Sequence, residues 1–327
     1  MQSFPFPPPL HLSANLPVMP PAPPSFRSSP GLAKGLALVQ TRAFPFWLFL
    51  GLLYGQLALA LIPSWSDGTY YDYGFLVPFL VPAFFLARWK ESAPDTDSLT
   101  HSLRQISTSL PMALLLLLGL AGITLLRLIQ GADSGWRPPL YLHALVILGI
   151  TFVLLYRLQG KSAFTYWPCA IILLMAIPLP SALEFSLIRN LTTGVVEFAL
   201  FVNRMMGLPL ESSGETIFAN GIPLHVSDGC SGIRSFQSGV FAGFVLGEYL
   251  RLSMVSRGLL VASSLGIAFL MNGFRVIYLV QHAVAYPGAD LQKVHDISGY
   301  FSLTATFLLI GAGGWLLGRM ERKLSTA

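Results

Sequence analysis

Three short stretches of this chain hold the residue types from which acyl transfer could be built. Ser227-Asp228-Gly229-Cys230-Ser231-Gly232-Ile233-Arg234 sets a cysteine among serine, aspartate and glycine, at the start of an apolar run. Asn272-Gly273-Phe274-Arg275-Val276 places an arginine within an apolar run, and His295-Asp296-Ile297-Ser298-Gly299-Tyr300 places a histidine at the mouth of the next one. A thiol attacks as thiolate, a form favoured at a helix N-terminus and beside a cation. Cys230 has both prospects: it begins a span between glycines that open backbone N–H groups, and Arg234 follows one helical turn later. A guanidinium such as that of Arg275 can stabilise an oxyanion in a site of low dielectric. A histidine such as His295 can carry a proton to a leaving amine.

Each residue has a rival explanation. Most lone cysteines in apolar proteins simply pack, and Cys169 in Trp167-Pro168-Cys169-Ala170 fits that description, whereas Cys230 sits among polar neighbours at a boundary. A cation inside a span costs about 2.5 kcal/mol or more and marks a pathway or a site unless it snorkels to the headgroups. That weight favours a role for Arg275. His282 competes with His295, because it follows Arg275 by seven residues and so shares its helical face. Physical reading of the sequence leaves both histidines open.

The elements that must carry these residues are membrane helices. Of 327 residues, 54% are hydrophobic and 11% charged, against about 25% charged in soluble domains. The apolar residues come in blocks at 44–63, 73–87, 108–130, 139–156, 163–181, 231–250, 258–285 and 300–318. Most approach the length of about 20 residues that crosses a hydrocarbon core. The expected fold is therefore all-α, a polytopic membrane protein of about eight transmembrane helices. Pro78 and Pro82 predict a kink or break in the second block.

Segment 182–206 differs in kind: Ser186, Asn190, Thr193, Glu197 and Arg204 form a polar stripe on an apolar helix. That pattern predicts an amphipathic helix at the interface or lining a wet cavity. The polar stretch from Glu211 to Asp228, with Asn220-Gly221 and alternating Ile222, Leu224 and Val226, predicts a small outer-face hairpin. Residues 1–43 are rich in proline and serine and hold no acid, which predicts a disordered cytoplasmic tail. The membrane-embedded domain is then 44–320.

Orientation follows the cations. With the N-terminus inside on Arg27, Lys34 and Arg42, eight crossings put Arg88, Lys90, Arg104, Arg157, Lys161, Arg251, Arg257, Arg319, Arg322 and Lys323 on the same side. Both termini are then cytoplasmic, and Cys230, Arg275 and His295 share the outer face. The net charge of +5 comes without a dense basic run, so nucleic-acid binding has no support. Two cysteines make no disulfide framework, and Cys169 and Cys230 are expected at different depths.

At these residues the chain resembles the exosortase/archaeosortase family of membrane cysteine transpeptidases. The matching pieces are Cys230-Ser231-Gly232-Ile233-Arg234-Ser235, Asn272-x-x-Arg275-Val276 and His295-x-x-x-Gly299-Tyr300. Tyr73-Gly74-Phe75-Leu76-Val77-Pro78 resembles the family's early Gly-x-Leu-x-Pro element, and the likeness covers 45–318. The resemblance implies Cys230 as nucleophile, Arg275 as oxyanion and substrate stabiliser, His295 as proton carrier and Arg234 as a possible assistant, without metal or cofactor. It implies an enzyme of the inner membrane whose partners are exported proteins with C-terminal sorting signals: a short motif, an apolar helix and a basic tail. The cleaved protein would pass through a thioester to an envelope or surface-polymer acceptor or to water, and the released helix into membrane lipid. The alternative is a transporter with Arg275 and His282 lining a substrate path; it calls for internal symmetry between halves, which the sequence does not show.

This topology has a direct test. A membrane-impermeant thiol reagent applied to intact cells should modify Cys230 far more than Cys169. Modification of Cys230 only after the inner face is opened would reverse the arrangement.

Overall fold

In lipid an apolar chain can satisfy its own backbone only as a helix or a closed barrel, and the apolar blocks of this protein form helices. The computed structural model describes residues 44–325 apart from 69, 93–100, 103, 107, 134, 209, 220–221, 227–230 and 289. Segment 1–43, read above as a tail, lies outside these residues, as does Cys230. The chain forms α1 (Phe44–Ser66), a tight helical turn (Asp72–Leu76), α2 (Val77–Ser92), α3 (Leu110–Ala132) and α4 (Pro138–Gln159). A second tight turn (Gly160–Tyr166) leads into α5 (Trp167–Met175), then α6 (Ser181–Met205). Three strands follow, β1 (Glu211–Ser213), β2 (Thr216–Ala219) and β3 (Ile222–His225), and then α7 (Ile233–Tyr249), α8 (Met254–Ala285) and α9 (Leu291–Ser325).

Among the described residues, six stretches are long and apolar enough to cross a membrane: Trp47–Ser66, Leu110–Ala132, Pro138–Met175, Ser181–Met205, Met254–Ala285 and Leu291–Leu324. This is a multi-pass membrane protein. Leucines along α3, among them Leu110, Leu117, Leu118 and Leu128, are largely exposed, as a lipid-facing surface requires. The second apolar block is not broken at its prolines: Pro78 falls in the first turn of α2, where no N–H is needed, and the helix continues through Pro82.

Two polar layers mark the ends of the bundle. At one, Glu248 of α7 is buried between Arg88 of α2 and Arg257 of α8, 2.9 Å from the latter. The Arg257 guanidinium also stacks over Trp167, Arg251 pairs with Glu91 at 2.7 Å, and Glu321 of α9 bonds Ser253. We call this the basic end. At the other, Tyr71, Arg137, Leu179, Glu184 and Gln237 form a buried network. Tracing which layer each helix end meets, α1, α2, α3, α4, α5, α7, α8 and α9 each run from one layer toward the other.

Helix α6 packs along α8. Glu184 near its start accepts from Tyr71, while Asn203 near its end accepts from Gln281, one turn from the end of α8. Between them Gly194 lies against Phe269 and Phe198 against Gly273. Over this stretch α6 therefore runs in the same direction as α8, and it is long and apolar enough to span. Its polar stripe of Ser186, Asn190, Thr193, Glu197 and Arg204 is exposed, and Val195, Val196, Ala199 and Leu200 are buried. The amphipathic pattern thus finds its apolar partner in α8, whose Val276, Ile277 and Val280 join that core together with Ile217 and Val226 of the strand region. The polar stretch after α6 is a small antiparallel sheet of order β1-β2-β3, one strand more than the hairpin expected.

α7 packs antiparallel on α8 through a stripe of small residues, an arrangement common between membrane helices. A Cβ added at Gly243 would collide with Ser264, and one at Gly247 would lie 2.9 Å from the Arg257 side chain. Gly232, just ahead of α7, lies against Asn272. Residues 273–285 of α8 therefore project beyond α7 by about 20 Å, and on that projection α6 and the sheet pack.

The basic end yields a stability comparison. Glu248→Ala leaves two arginines facing each other without their carboxylate and should cost about 3–5 kcal/mol. Glu91→Ala opens only an exposed pair and should cost about 1 kcal/mol or less. Thermal unfolding of both variants in detergent micelles measures the difference.

Candidate active site

The second apolar turn of the chain sets the wall of the site. α5 has only nine residues, and its last carbonyls have no further helix to accept from. Side-chain donors take them: Trp65 Nε1 bonds Ala176 O at 2.9 Å, Tyr73 OH bonds Met175 O at 2.9 Å and Tyr141 OH bonds Ile177 O at 3.2 Å. Gly74 lies flat against the Trp65 indole, where any Cβ would collide with the ring. The Tyr73-Gly74 element thus has a physical reason: one residue supplies the cap, and the next makes room for its neighbour.

Behind this wall lies the buried network. Tyr71 OH donates to Glu184 Oε1 at 2.9 Å and accepts from Leu179 N at 2.9 Å and Gln237 Nε2 at 3.1 Å. Burial raises its phenol above the ordinary range, which keeps it a donor. Arg137 bonds the other Glu184 oxygen and Leu179 O. Gln237 lies one turn beyond Arg234 on α7, so the network fixes the start of the helix that follows Cys230. Sequence reasoning missed Tyr71, Arg137, Glu184 and Gln237. The usable signal was Glu184, an acid between Leu183 and Phe185 where a charge is costly.

Cys230 falls outside the described residues, but the residues that follow it do not. Ser231 is buried and its Oγ accepts from Ile233 N at 3.2 Å, which starts α7. Gly232 takes φ +80°, the left-handed conformation that costs other residues about 1–2 kcal/mol. It also faces Asn272, whose Nδ2 would lie 2.6 Å from a Cβ there. Asn272 is itself buried and stands one helical turn before Arg275 on α8.

Arg275 and His295 meet. Arg275 Nη2 lies 2.7 Å from His295 Nε2. A guanidinium only donates, so His295 Nε2 accepts and the ring proton sits on Nδ1, 3.1 Å from Asp296 Oδ1. α9 begins here because Asp290 accepts from the N–H groups of Gln292 and Lys293, an N-cap. His295 and Gly299 are then one turn apart on the face toward Arg275. A Cβ at Gly299 would stand 3.2 Å from Arg275 Nη2, so glycine leaves the guanidinium its place.

The two histidines left open by the sequence have different surroundings. His282 stacks between Tyr278 and Tyr286 of its own helix, with ring centroids 6.0 and 5.0 Å away. Arg234 turns toward the connection after α1, bonding Gly68 O and lying 3.9 Å from Asp72. Cys169 is buried in α5. Among the described residues no cluster of three or more His, Cys, Asp or Glu could hold a metal ion.

The model of the transmembrane exosortase family matches residues 65–312. The chain belongs to the transmembrane exosortase family. Membership implies sorting-signal processing of exported proteins. No curated protein and no solved structure matches the chain. The match takes in every motif of this exosortase discussed above, from the Tyr73-Gly74 element to the His295–Gly299 turn.

Glycine at 232 carries the geometric prediction. Gly207 also has φ +80° but nothing within 4 Å of a Cβ, so Gly207→Ala in this exosortase should cost only the backbone strain, about 1–2 kcal/mol. Gly232→Ala adds an overpacked contact with Asn272 and should cost about 1–3 kcal/mol more. Equal losses of thermal stability for the two would mean that Asn272 does not hold the turn.

Proposed function

We propose that the protein is a cysteine peptidase and transpeptidase that removes C-terminal sorting signals of exported proteins at the outer face of the inner membrane. The observation that carries this reading is the contact between Arg275 and His295, on two helices and 20 residues apart. Gly232 adds to it: two residues of chain reach at most about 7 Å, so Cys230 cannot be far from the turn that Asn272 touches. The domain responsible is 44–320, with the 1–43 tail in the cytoplasm.

The Cys230 sulfur attacks the carbonyl carbon ahead of the signal's apolar helix, and its proton passes to His295 Nε2. The carbonyl oxygen takes up negative charge and draws the Arg275 donor away from His295, which frees Nε2 for that proton. Collapse of the intermediate breaks the C–N bond, and the leaving nitrogen takes the proton from His295. A thioester remains on Cys230, and the tail departs as an amine on a helix that lipid can accept. A nucleophile on an envelope or surface polymer, or water, then attacks the thioester and restores the thiol. Asp296 at Nδ1 keeps the histidine in the tautomer this transfer needs, and Arg234 holds the loop bordering the nucleophile's helix. The positive tail of the signal would rest at the cytoplasmic face, as basic segments do.

The test uses a reporter protein from the same cell that ends in motif, apolar helix and basic cluster. Cys230→Ala should abolish tail removal at unchanged membrane abundance, and Cys169→Ala should leave it intact. His295→Ala should slow it about 10²-fold or more, the range of a lost general acid, while His282→Ala should cost much less. Normal processing by Cys230→Ala would end the peptidase reading. An inactive His282→Ala beside an active His295→Ala would move the proton carrier to the other histidine.

A further inference from the structure

The pairing within the small sheet decides which backbone groups face outward. Phe218 pairs with Pro223, Ile217 with Leu224 and Thr216 with His225. Proline has no N–H to give, so Phe218–Pro223 is the pair without ladder bonds and Ile217–Leu224 the bonded one. Val226 N bonding Glu215 O at 2.9 Å continues the same alternation. Leu224 and Val226 therefore spend their backbone groups on the β2 side. Pro223 turns its carbonyl away from β2, and His225 turns away both its N–H and its carbonyl.

On that outward side lies a groove of about 430 Å³. Its floor includes Val276 and Val280 of α8, and its far wall carries Gln292 and His295 of α9. The strand lines it with four consecutive residues, 223–226. Side chains alternate between the faces of a strand, so four in a row means that β3 meets the groove by its edge. Among the described residues the sheet order ends at β3.

We infer that the recognition segment of the exported substrate binds here as a fourth strand, added along the free edge of β3. This rests on the peptidase reading above and names where that enzyme holds its peptide. The occupant is an extended peptide, because an edge with outward N–H and C=O groups is matched by another strand. Every second side chain of that peptide would point to the valine floor, so the recognition motif should alternate apolar residues with others. The same groove wall carries His295, 2.7 Å from Arg275, which places the bound segment beside the groups that act on it.

The experiment blocks one sheet edge at a time in the full-length protein. His225→Pro removes the outward N–H of β3 and leaves the backbone ladder to β2 in place. It also loses the 3.3 Å side-chain bond between His225 Nδ1 and Thr216 Oγ1. His225→Ala, which loses that bond but keeps the N–H, is run beside it and should behave as the parent protein. Ser212→Pro is the matched change on the opposite edge: Ser212 pairs with Ile217, whose bonds go to β3, so Ser212 also faces outward. Tail removal from the reporter is followed against reporter concentration, with equal membrane abundance and equal thiol labelling of Cys230 established first. His225→Pro should raise the apparent KM about tenfold or more, the scale of a lost backbone hydrogen bond, with kcat little changed, and Ser212→Pro should behave as the parent protein. An equal loss in both proline variants would reduce the effect to general damage to the sheet and overturn the docking, as would normal processing by His225→Pro. In the last case the parent's cleavage of the reporter still stands, so peptidase activity survives while the docking site falls. A parent protein that leaves the reporter intact overturns both.

Discussion

The carbonyls of Met175, Ala176 and Ile177 lose their helix inside an apolar bundle, and the site end of the molecule is assembled around satisfying them. Trp65, Tyr73 and Tyr141 reach them from three different elements. Each donor must hold its place to within hydrogen-bond distance, because water is not there to substitute. Fixing Trp65 and Tyr73 fixes the turn between α1 and α2. That turn presents Tyr71, and through Glu184 and Gln237 Tyr71 ties α6 and α7 to it. The position of the segment after Cys230 thus depends on carbonyls some fifty residues earlier in the chain.

The two ends of the bundle solve the same problem with different chemistry. At the basic end a buried glutamate is shared by two arginines, so the charges nearly neutralise one another in place. At the site end the network is built around a phenol and an amide with one ion pair, and neither Arg275 nor His295 is among its members. Arg275 and His295 bond each other, and room is left for them and for their neighbour: Gly299 makes space for the Arg275 guanidinium and Gly232 for Asn272.

Apolar block length was enough to read the helices, because lipid imposes it directly. The amphipathic character of α6 was equally plain in Ser186, Asn190, Thr193, Glu197 and Arg204, all on its exposed face. Length alone counts α6 as a span. Its partners, Tyr71 for Glu184 and Gln281 for Asn203, lie on other elements, and pairings of that kind leave no trace in local sequence. Pro82 misled in the opposite direction, since local rules predict a break where packing carries the helix through. The site motifs were legible as residue types, but the contact between Arg275 and His295 was not, because helical periodicity relates His282 to Arg275 while His295 arrives from another helix. The Tyr71–Glu184–Gln237 network was hidden for the same reason: Tyr71 lies more than a hundred residues from each of its two partners.

The glycine stripe between α7 and α8 has a mechanical consequence. With Gly239, Gly243 and Gly247 against Ala268, Ser264 and Arg257, the two backbones mesh like a toothed rack, and sliding by one tooth is blocked by the next side chain. The rack runs from the buried glutamate at one surface to Gly232 and Asn272 at the other. It acts as a ruler along the bundle, setting the height at which the turn at Gly232 is held. A methyl group added at Gly243, where it would collide with Ser264, would be felt far away as an axial offset, a fraction of the 1.5 Å rise per residue, delivered to the turn at Gly232.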